Sequence, residues 1–222
     1  MKTSPPYLRP RLDFARPRVW LLAVGCLLLG FWLGRLPEHP TGTSLQANST
    51  LQVYFSPDGG ATHALVHLIQ QARRQVQVQA YSFTSRPLLN ALIAAHDRGV
   101  NVRIILDRSH VEKRNYRTGH YTPKISAALA AFYSAGVPVW IDDHYLIAHN
   151  KVMLIDGRVI VTGSFNFSYA AAHFNAENML VLRNVPALFA RYEHNFQYHL
   201  RHSPAYRPGL VLTGQFHWPR WH

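Results

Sequence analysis

The chain has 222 residues, enough for one domain with extensions or two small domains, so these residues do not hold a large multidomain assembly. Apolar residues make up 48% of the chain, which excludes a largely disordered protein. The formal net charge of +12 favours polyanionic partners such as nucleic acid, anionic lipid or phosphorylated substrates. The single cysteine, Cys26, excludes an intrachain disulfide and a thiolate zinc finger.

Residues 1–36 have the pattern of an export signal or a signal-anchor. Basic residues outnumber the one acid, Asp13, before an uncharged apolar run at 19–34, and Arg35 ends this run. As a helix the run spans about 24 Å, slightly short for a bilayer and slightly long for the core of a cleavable signal. Cleavage and retention as an inner-membrane anchor therefore both stay open. In either case we expect the rest of the chain outside the cytoplasm, in a bacterial periplasm.

Residues 37–50 are rich in Pro, Thr, Ser and Gly and are typical of a linker. Strand and helix patterns alternate after the linker. Strands are predicted at 51–55, 76–83 and 100–106, and helices at 62–74 and 86–98. Ser85 and Pro87 suit the start of the second helix, and Gly99 suits its end. Residues 108–122 are polar and basic, and are predicted to form a loop.

The second half of the chain is richer in strand patterns. A helix is predicted at 124–135, strands at 137–141, 151–155, 158–162 and 179–182, and a last helix at 186–200. The turn Asp156–Gly157 pairs two of these strands as a hairpin. The pattern predicts an α/β fold in which a mixed β-sheet is flanked by helices on both faces, as one domain over residues 51–200. The basic aromatic tail, 201–222, is expected to be disordered, with packing on the domain or contact with a polyanion as alternatives.

The strongest chemical signal is a string with the spacing H-x-K-x4-D-x6-G-S-x-N. It consists of His149, Lys151, Asp156, Gly163, Ser164 and Asn166. A random chain of this length matches all six identities only a few times per million, roughly. An imidazole, an ammonium, a hydroxyl and an amide together supply a nucleophile or proton carrier and donors to phosphate oxygens.

Strand geometry places these side chains. Residues two apart in a strand share a face, so His149 points the same way as Lys151, and Ser164 the same way as Asn166 if the strand continues through them. The hairpin can bring both pairs to one end of the sheet. Asp156 lies an odd number of residues from His149 and faces away, which indicates a structural role.

The string resembles the HKD motif of the phospholipase D superfamily. The segments 55–60, 80–85 and 163–178 resemble the single-motif, Nuc-type bacterial endonucleases of that superfamily, and the resemblance covers nearly all of residues 51–200. It implies a phospholipase D-like catalytic domain and a metal-independent phosphodiesterase without a cofactor. Because the chain has one motif, it also implies a homodimer whose two motifs form one active site. One histidine then forms a phosphohistidine intermediate, and the other protonates the leaving oxygen.

The resemblance implies a set of catalytic residues. They are His149, Lys151, Asp156, Ser164, Asn166 and Glu177. Lys151 and Asn166 are expected to hold nonbridging oxygens with help from Ser164, and Glu177 is expected to orient the histidine ring. No metal site is predicted, because His63 and His67 lie four apart on a helix but lack a third ligand.

The basic loop at 108–122 supplies candidate substrate-binding residues. They are Arg108, Lys113, Arg114, Arg117 and, just after the loop, Lys124. These cations can follow a nucleic-acid backbone, while Tyr116 and Tyr121 can stack on bases. A solvated loop without a binding role is the alternative.

Three functions are compatible with these features. The first is an exported, sequence-nonspecific endonuclease that hydrolyses DNA, with RNA as a further substrate; residues 51–200 carry 14 basic and 9 acidic residues, a net charge of +5. The alternative is a phospholipase D-type lipid head-group hydrolase or transferase, held at the membrane through an uncleaved residue 1–36 segment. The third is a nonenzymatic DNA-binding module, which would still bind DNA after His149→Ala.

Overall fold

The computed structural model describes residue 45 and residues 47–115, 117–118 and 120–212. The predicted export segment, 1–36, lies outside the described residues, as does the end of the tail from residue 213. Within the described ranges, no helix combines the length and the apolar character needed to cross a membrane. These ranges hold the domain predicted over residues 51–200 and the first part of the tail.

A seven-stranded mixed sheet forms the centre of the domain, in the order β1-β9-β8-β7-β2-β3-β6. The strands are β1 (Thr50–Ser56), β2 (Gln75–Ala80), β3 (Asn101–Asp107), β4 (Glu112–Arg114), β5 (Tyr121–Pro123), β6 (Val139–Asp142), β7 (Lys151–Ile155), β8 (Val159–Gly163) and β9 (Glu177–Arg183). Strands β2, β3 and β6 are parallel, and the other pairs in this sheet are antiparallel. Strands β4 and β5 form a separate antiparallel hairpin.

Helices cover both faces of the sheet. They are α1 (Ala61–Gln71), α2 (Arg86–Asp97), α3 (Ala127–Ser134), α4 (Tyr169–His173) and α5 (Pro186–His202). One core joins α1, α2 and α3 to one face, where Val78 and Ile104 point. The other core joins α5 to the opposite face, where Ile105 and Leu154 point. Successive strand residues thus bury alternate faces, and the predicted α/β architecture is confirmed.

The predicted loop at 108–122 is wrong in part. Residues Arg108–His110 form a 3₁₀ turn, and β4 and β5 then pair as a hairpin. Both strands are short and carry polar, mostly exposed side chains, so they lack the alternation of apolar residues that signals a strand. Helix α4 was also not predicted, because its five residues are too few to show a helical period.

Two predicted helices have different ends in the structure. Helix α1 stops at Gln71 instead of residue 74, because Ala72 is extended and the next backbone amides bind Asp156. Helix α3 begins at Ala127 because the Ser126 side chain caps it, accepting a hydrogen bond from the backbone N–H of Leu129 at 3.2 Å.

The first part of the tail packs on the domain. The Ile141 N–H donates to the carbonyl of Pro204 at 3.0 Å, and the Tyr206 N–H donates to the carbonyl of Val139 at 2.8 Å. Residues 204–206 therefore lie along the free edge of β6. This corrects the expectation of a disordered end as far as residue 212, while residues 213–222 lie outside the described part of the chain.

The strand directions bring many loop-borne side chains to one edge of the sheet. The carboxyl ends of β1, β2, β3, β6 and β8 meet there with the amino ends of β7 and β9. We call it the site edge. In α/β sheets, ligands bind outside the carboxyl ends of the parallel strands, and this edge carries those of β2, β3 and β6.

Candidate active site

The site edge gathers the predicted motif residues with one exception. His149 and Lys151 stand at the start of β7, Ser164 and Asn166 follow β8, and Glu177 begins β9. The registers place Lys151 opposite Ala80 and Gly163 opposite Met179, so these segments are neighbours across the sheet. The exception is Asp156, which ends β7 at the opposite edge.

His149 presents an exposed imidazole against Tyr81. The two ring centroids are 4.6 Å apart at an interplanar angle of 56°. Lys151 lies beneath this pair and is only 5% exposed. Its Nζ donates to the His149 carbonyl at 2.7 Å and stands 5.1 Å from the centroid of the Tyr81 ring. An accessible nucleophile thus lies beside a largely buried cation.

The charge state of Lys151 is shaped by opposing influences. Burial lowers the pKa of the Lys151 ammonium, and the nearby carboxylates of Glu177 and Asp107 offset part of this effect by raising it. The net pKa lies below that of an ordinary lysine. The two carboxylates therefore stabilise the charged form of Lys151, but because burial outweighs them, Lys151 loses its proton more readily than an exposed lysine.

The segment after β8 is clamped to β9 through Asn178. The N–H groups of Ser164 and Phe165 donate to the Asn178 carbonyl at 3.0 and 3.1 Å. The Ser164 hydroxyl in turn accepts the Asn178 N–H at 3.0 Å. A Cβ on Gly163 would lie 2.3 Å from the Asn178 carbonyl oxygen, so this approach requires glycine. The Ser164 hydroxyl retains its own proton, which it can donate to a substrate oxygen.

Asn166 and Glu177 differ from the expectation for a complete site. The side-chain carbonyl oxygen of Asn166 is buried without a hydrogen-bond partner among the described residues. Glu177 accepts from the side-chain amide of Asn175 at 3.0 Å, and within the described residues of one chain it makes no hydrogen bond to the His149 ring. A buried polar atom without a partner marks a place where a further group is expected.

Asp156 has a structural role. Its carboxylate accepts the backbone N–H groups of Arg73, Arg74 and Gln75 at 2.9, 2.8 and 3.0 Å. Burial raises the pKa of Asp156, but these three amides and the Arg74 guanidinium outweigh it, so the pKa lies below its usual range. The place of Asp156 among the catalytic residues is therefore corrected, because Asp156 stands in the turn after β7, at the edge opposite the site.

Replacing Asp156 with alanine is expected to lower the free energy of unfolding by about 3 kcal/mol, because three part-buried N–H donors lose a charged acceptor. The lowered pKa means that the carboxylate stabilises the fold above its unfolded pKa of about 3.9 and that this contribution is lost as the pH falls through the folded pKa. Urea unfolding at neutral pH and near pH 3 measures both effects. The exposed Asp97→Ala serves as control, and a pH-independent difference for Asp156→Ala would contradict the assignment.

Two side chains that support His149 were missed as site residues. Asp107 is 2% exposed, and its carboxylate accepts the Ala148 N–H at 2.7 Å and the Ser109 N–H at 2.8 Å, which holds the backbone just before His149. Tyr81, which contacts the His149 ring, directly follows β2. Both residues stand at the carboxyl ends of adjacent parallel strands, and this position was a signal that sequence reasoning could have used.

His110 fixes the backbone of Tyr81 from the other side. Its Nε2 is 3.2 Å from the Tyr81 carbonyl oxygen, and its Nδ1 is 2.7 Å from the Ser126 hydroxyl. Burial lowers the pKa of His110, which favours the neutral ring. A neutral ring donates a hydrogen bond from Nε2 to the Tyr81 carbonyl and accepts one at Nδ1 from the Ser126 hydroxyl, so both nitrogens have a partner.

The basic segment divides into buried and exposed cations. Arg108 is 8% exposed, pairs with Glu112, and lies over the Tyr121 ring with its guanidinium carbon 4.4 Å from the centroid. This corrects the prediction that Arg108 binds substrate directly. Lys113, Arg117 and Lys124 are exposed, Arg114 is half-buried, and Tyr116 lies outside the described residues. The exposed cations remain candidates for binding a polyanion.

Taken together, the donors at the site edge suit an anionic tetrahedral group. One imidazole can attack or carry a proton, and an ammonium and a hydroxyl can donate to its oxygens. Among the described residues, no group of three or more His, Cys, Asp or Glu side chains is placed to hold a metal ion. Among the described residues, His149 is the imidazole that packs on Tyr81 beside the Lys151 ammonium.

Comparisons with known proteins agree with this geometry. A family model described as "Cardiolipin synthase, PLD-like domain" matches residues 65–200. A phospholipase D of Rickettsia prowazekii is 36% identical over 138 residues, which cover 62% of this chain and 62% of that protein. A mitochondrial cardiolipin hydrolase of Xenopus tropicalis is 31% identical over 117 residues, covering 53% of this chain and 50% of that protein. The chain thus spans half to three fifths of these curated relatives.

Two solved structures share the fold of the domain. The phospholipase D family member Nuc from Salmonella typhimurium is 33% identical, with a TM-score of 0.62, over 72% of this chain and 99% of that chain. NucT from Helicobacter pylori has the same fold at 22% identity and a TM-score of 0.58, over 71% of this chain and 99% of that chain. Both solved chains are therefore matched over nearly their whole length by part of this chain.

Proposed function

The chain belongs to the phospholipase D superfamily, a family of phosphodiesterases, as its motif predicts. We propose that it is a metal-independent nuclease whose active site forms between two copies of the chain. The observation that carries the proposal is one exposed His149 over a buried Lys151 on an edge that also holds Ser164 and Asn166. Cleaving a phosphodiester through a covalent intermediate needs both a nucleophile and an acid, and among the described residues of one chain His149 is the imidazole beside Lys151.

A twofold axis through the site edge supplies the second imidazole. A self-complementary interface sets each His149 against its counterpart in the partner. One His149 attacks phosphorus, and the P–O bond to the leaving group breaks as the other His149 gives that oxygen its proton. The second imidazole, now neutral, takes a proton from water, and the hydroxide displaces the first histidine from phosphorus. The proton balance closes without a metal ion.

The remaining donors stabilise the charge that develops on phosphorus. In the proposed site, the Lys151 ammonium, the Ser164 hydroxyl and the Asn166 amide bind nonbridging oxygens, which gain charge in the transition state. The buried Asn166 oxygen that lacks a partner among the described residues fits a site that is completed by the second copy. Glu177, which stands near Lys151, would meet a histidine ring only in the assembled dimer.

Nucleic acid is the substrate class that the charge distribution favours. Residues 51–200 have a net charge of +5, and exposed lysines at 113 and 124 stand on the hairpin side of the site edge. Contacts of this kind recognise the phosphate backbone and carry no sequence information. The pattern of residues 1–36 supports export, so we extend the proposal to a nuclease that acts outside the cytoplasm.

Lipid head-group hydrolysis is the second candidate, favoured by one specific feature. A mainly apolar cavity of about 500 Å³ opens beside the site edge, lined in part by Ser56, Val66, Phe165 and Ala172. A cavity of this size and composition suits an acyl chain. The names of the curated relatives, a phospholipase D and a cardiolipin hydrolase, point the same way.

Full-length protein in mild detergent is expected to nick and degrade supercoiled plasmid in excess EDTA. With about three phosphate contacts per site, the affinity for DNA falls about 40-fold between roughly 50 and 200 mM salt, because counterions are released on binding. Gel assays and fluorescence anisotropy measure the two effects. Lys113→Ala and Lys124→Ala should each reduce the salt slope by about one unit.

The contrary result would identify the other substrate class. In that result, the folded, dimeric protein leaves plasmid and RNA intact at every salt concentration but releases head groups from cardiolipin or phosphatidylglycerol vesicles. The protein would then be a lipid hydrolase and not a nuclease. DNA binding without turnover in the parent protein would support the nonenzymatic module instead.

A further inference from the structure

A second cavity, of about 300 Å³, lies between the β4–β5 hairpin and the site edge. Its lining includes Tyr81, Tyr121, Leu146, Ile147, Lys113 and Lys124. We propose that this cavity binds one unpaired nucleotide next to the scissile phosphate, so that the enzyme cleaves single-stranded nucleic acid faster than base-paired nucleic acid. This inference rests on the proposed nuclease function and names the form of its substrate.

The cavity begins one side chain away from the reacting groups. Tyr81 lines the cavity and also contacts His149, with ring centroids 4.6 Å apart. The same ring lies 5.1 Å from the Lys151 ammonium. A phosphate held by His149 and Lys151 therefore has its neighbouring nucleoside within reach of the cavity.

The lining combines the two chemistries of a nucleotide. The rings of Tyr81 and Tyr121 and the aliphatic side chains of Leu146 and Ile147 offer apolar surface to the flat faces of a base. Lys113 and Lys124 are exposed and place positive charge where a flanking phosphate would lie. A volume of about 300 Å³ is at the lower limit of small-molecule sites, which suits one nucleotide.

Tyr121 is held as a stacking platform. The Arg108 guanidinium lies over its ring at 4.4 Å, and Arg108 is itself buried and paired with Glu112. These contacts restrict the ring while 37% of the Tyr121 residue stays exposed. Because the ring is positioned before a base arrives, little conformational entropy is lost on stacking. This gives Arg108 a role in shaping the cavity in place of a direct contact with the nucleic-acid backbone.

Entry into such a cavity separates single strands from duplexes. A base in a duplex must leave both its pairing partner and its stack before it can enter, whereas a base in a single strand has little to give up. We therefore expect kcat/KM for a single-stranded substrate to exceed that for the same strand in a duplex by about tenfold or more.

The test compares three substrates with the full-length protein in EDTA. They are an end-labelled oligonucleotide of about 20 residues, the same strand annealed to its complement, and a version whose central residues are abasic sugar phosphates. We expect the single strand to be cleaved fastest, and the duplex and the abasic strand each to be cleaved about tenfold more slowly. Tyr121→Ala should remove most of the difference between base-bearing and abasic strands, because stacking on one aromatic ring is worth roughly 5- to 100-fold.

Tyr133→Ala is the matched control, because Tyr133 is also an exposed tyrosine but lies on α3, away from this cavity. It should leave the ratio between base-bearing and abasic strands unchanged. Equal cleavage of single strand and duplex, or an unchanged ratio in Tyr121→Ala, overturns the nucleotide cavity while the nuclease function stands. Parent protein that cleaves none of the three substrates overturns the nuclease function, and this inference with it.

Discussion

Replacing His149 with alanine is expected to lower phosphodiester cleavage by about 10⁴-fold or more, because in the proposed dimer the substitution removes the nucleophile from one half of the site and the acid from the other. The fold should be preserved, since the His149 side chain is exposed and its ring packs on the edge of the domain against Tyr81. Single-turnover cleavage of a labelled oligonucleotide measures the loss, and thermal unfolding checks that the variant is folded.

Mixed dimers then test whether two copies share one site. When wild-type and His149→Ala chains are mixed in equal amounts and allowed to exchange subunits, about a quarter of the dimers contain two wild-type chains. If the site is shared, the mixture should have about a quarter of the activity of the same total amount of wild-type protein, because each mixed dimer lacks one of its two histidines. Independent sites predict about a half. Mixing wild type with Asp97→Ala, an exposed substitution on α2, controls for losses during exchange.

The central part of the site could be predicted because strand geometry is local. The spacing within the motif predicts which side chains share a face, so the pairing of His149 with Lys151 needed only strand alternation. Asp156 lies away from the site for a different reason, because it stands in the turn at the far end of β7. The convergence of these residues needed only one hairpin, through Asp156–Gly157. Such arrangements can be predicted because each side chain of a strand points to one of the two faces of the sheet, and the spacing alone decides which residues share a face.

The surroundings of the site depend on pairings between distant segments, which no local pattern reveals. Tyr81 and Asp107 become neighbours of His149 only because β2 lies between β7 and β3 in the sheet. The β4–β5 hairpin is held by polar contacts such as Arg108 with Glu112, so its strands carry no apolar alternation. Arg108 was therefore expected in solvent, where its charge would bind substrate, and is instead buried.

Lys151 is the second position where a large effect is expected. Lys151→Met removes the buried cation that we propose binds the nonbridging oxygens, and kcat should fall about 10²- to 10³-fold, as when one donor to a developing anion is lost. The methionine fills a similar volume, so the fold should tolerate it. Rates for Lys151→Met and for Lys113→Met, an exposed lysine on the hairpin, separate a catalytic charge from general attraction of the substrate. Equal losses at both positions would contradict a special role for Lys151.

The lowered pKa of Lys151 gives this role a pH signature. Only the ammonium donates to phosphate, so activity is present below this pKa and is lost as the pH rises through it, below the ordinary lysine value of about 10.4. The substrate for this test is a nucleotide ester of 4-nitrophenol, because 4-nitrophenolate leaves without being protonated. Loss of the proton from the acid histidine then no longer contributes to the alkaline limb of the kcat/KM profile. Lys151→Arg keeps its charge at every accessible pH. It should therefore move that limb upward even where its rate is lower, and a limb that stays in place would assign the titration to another group.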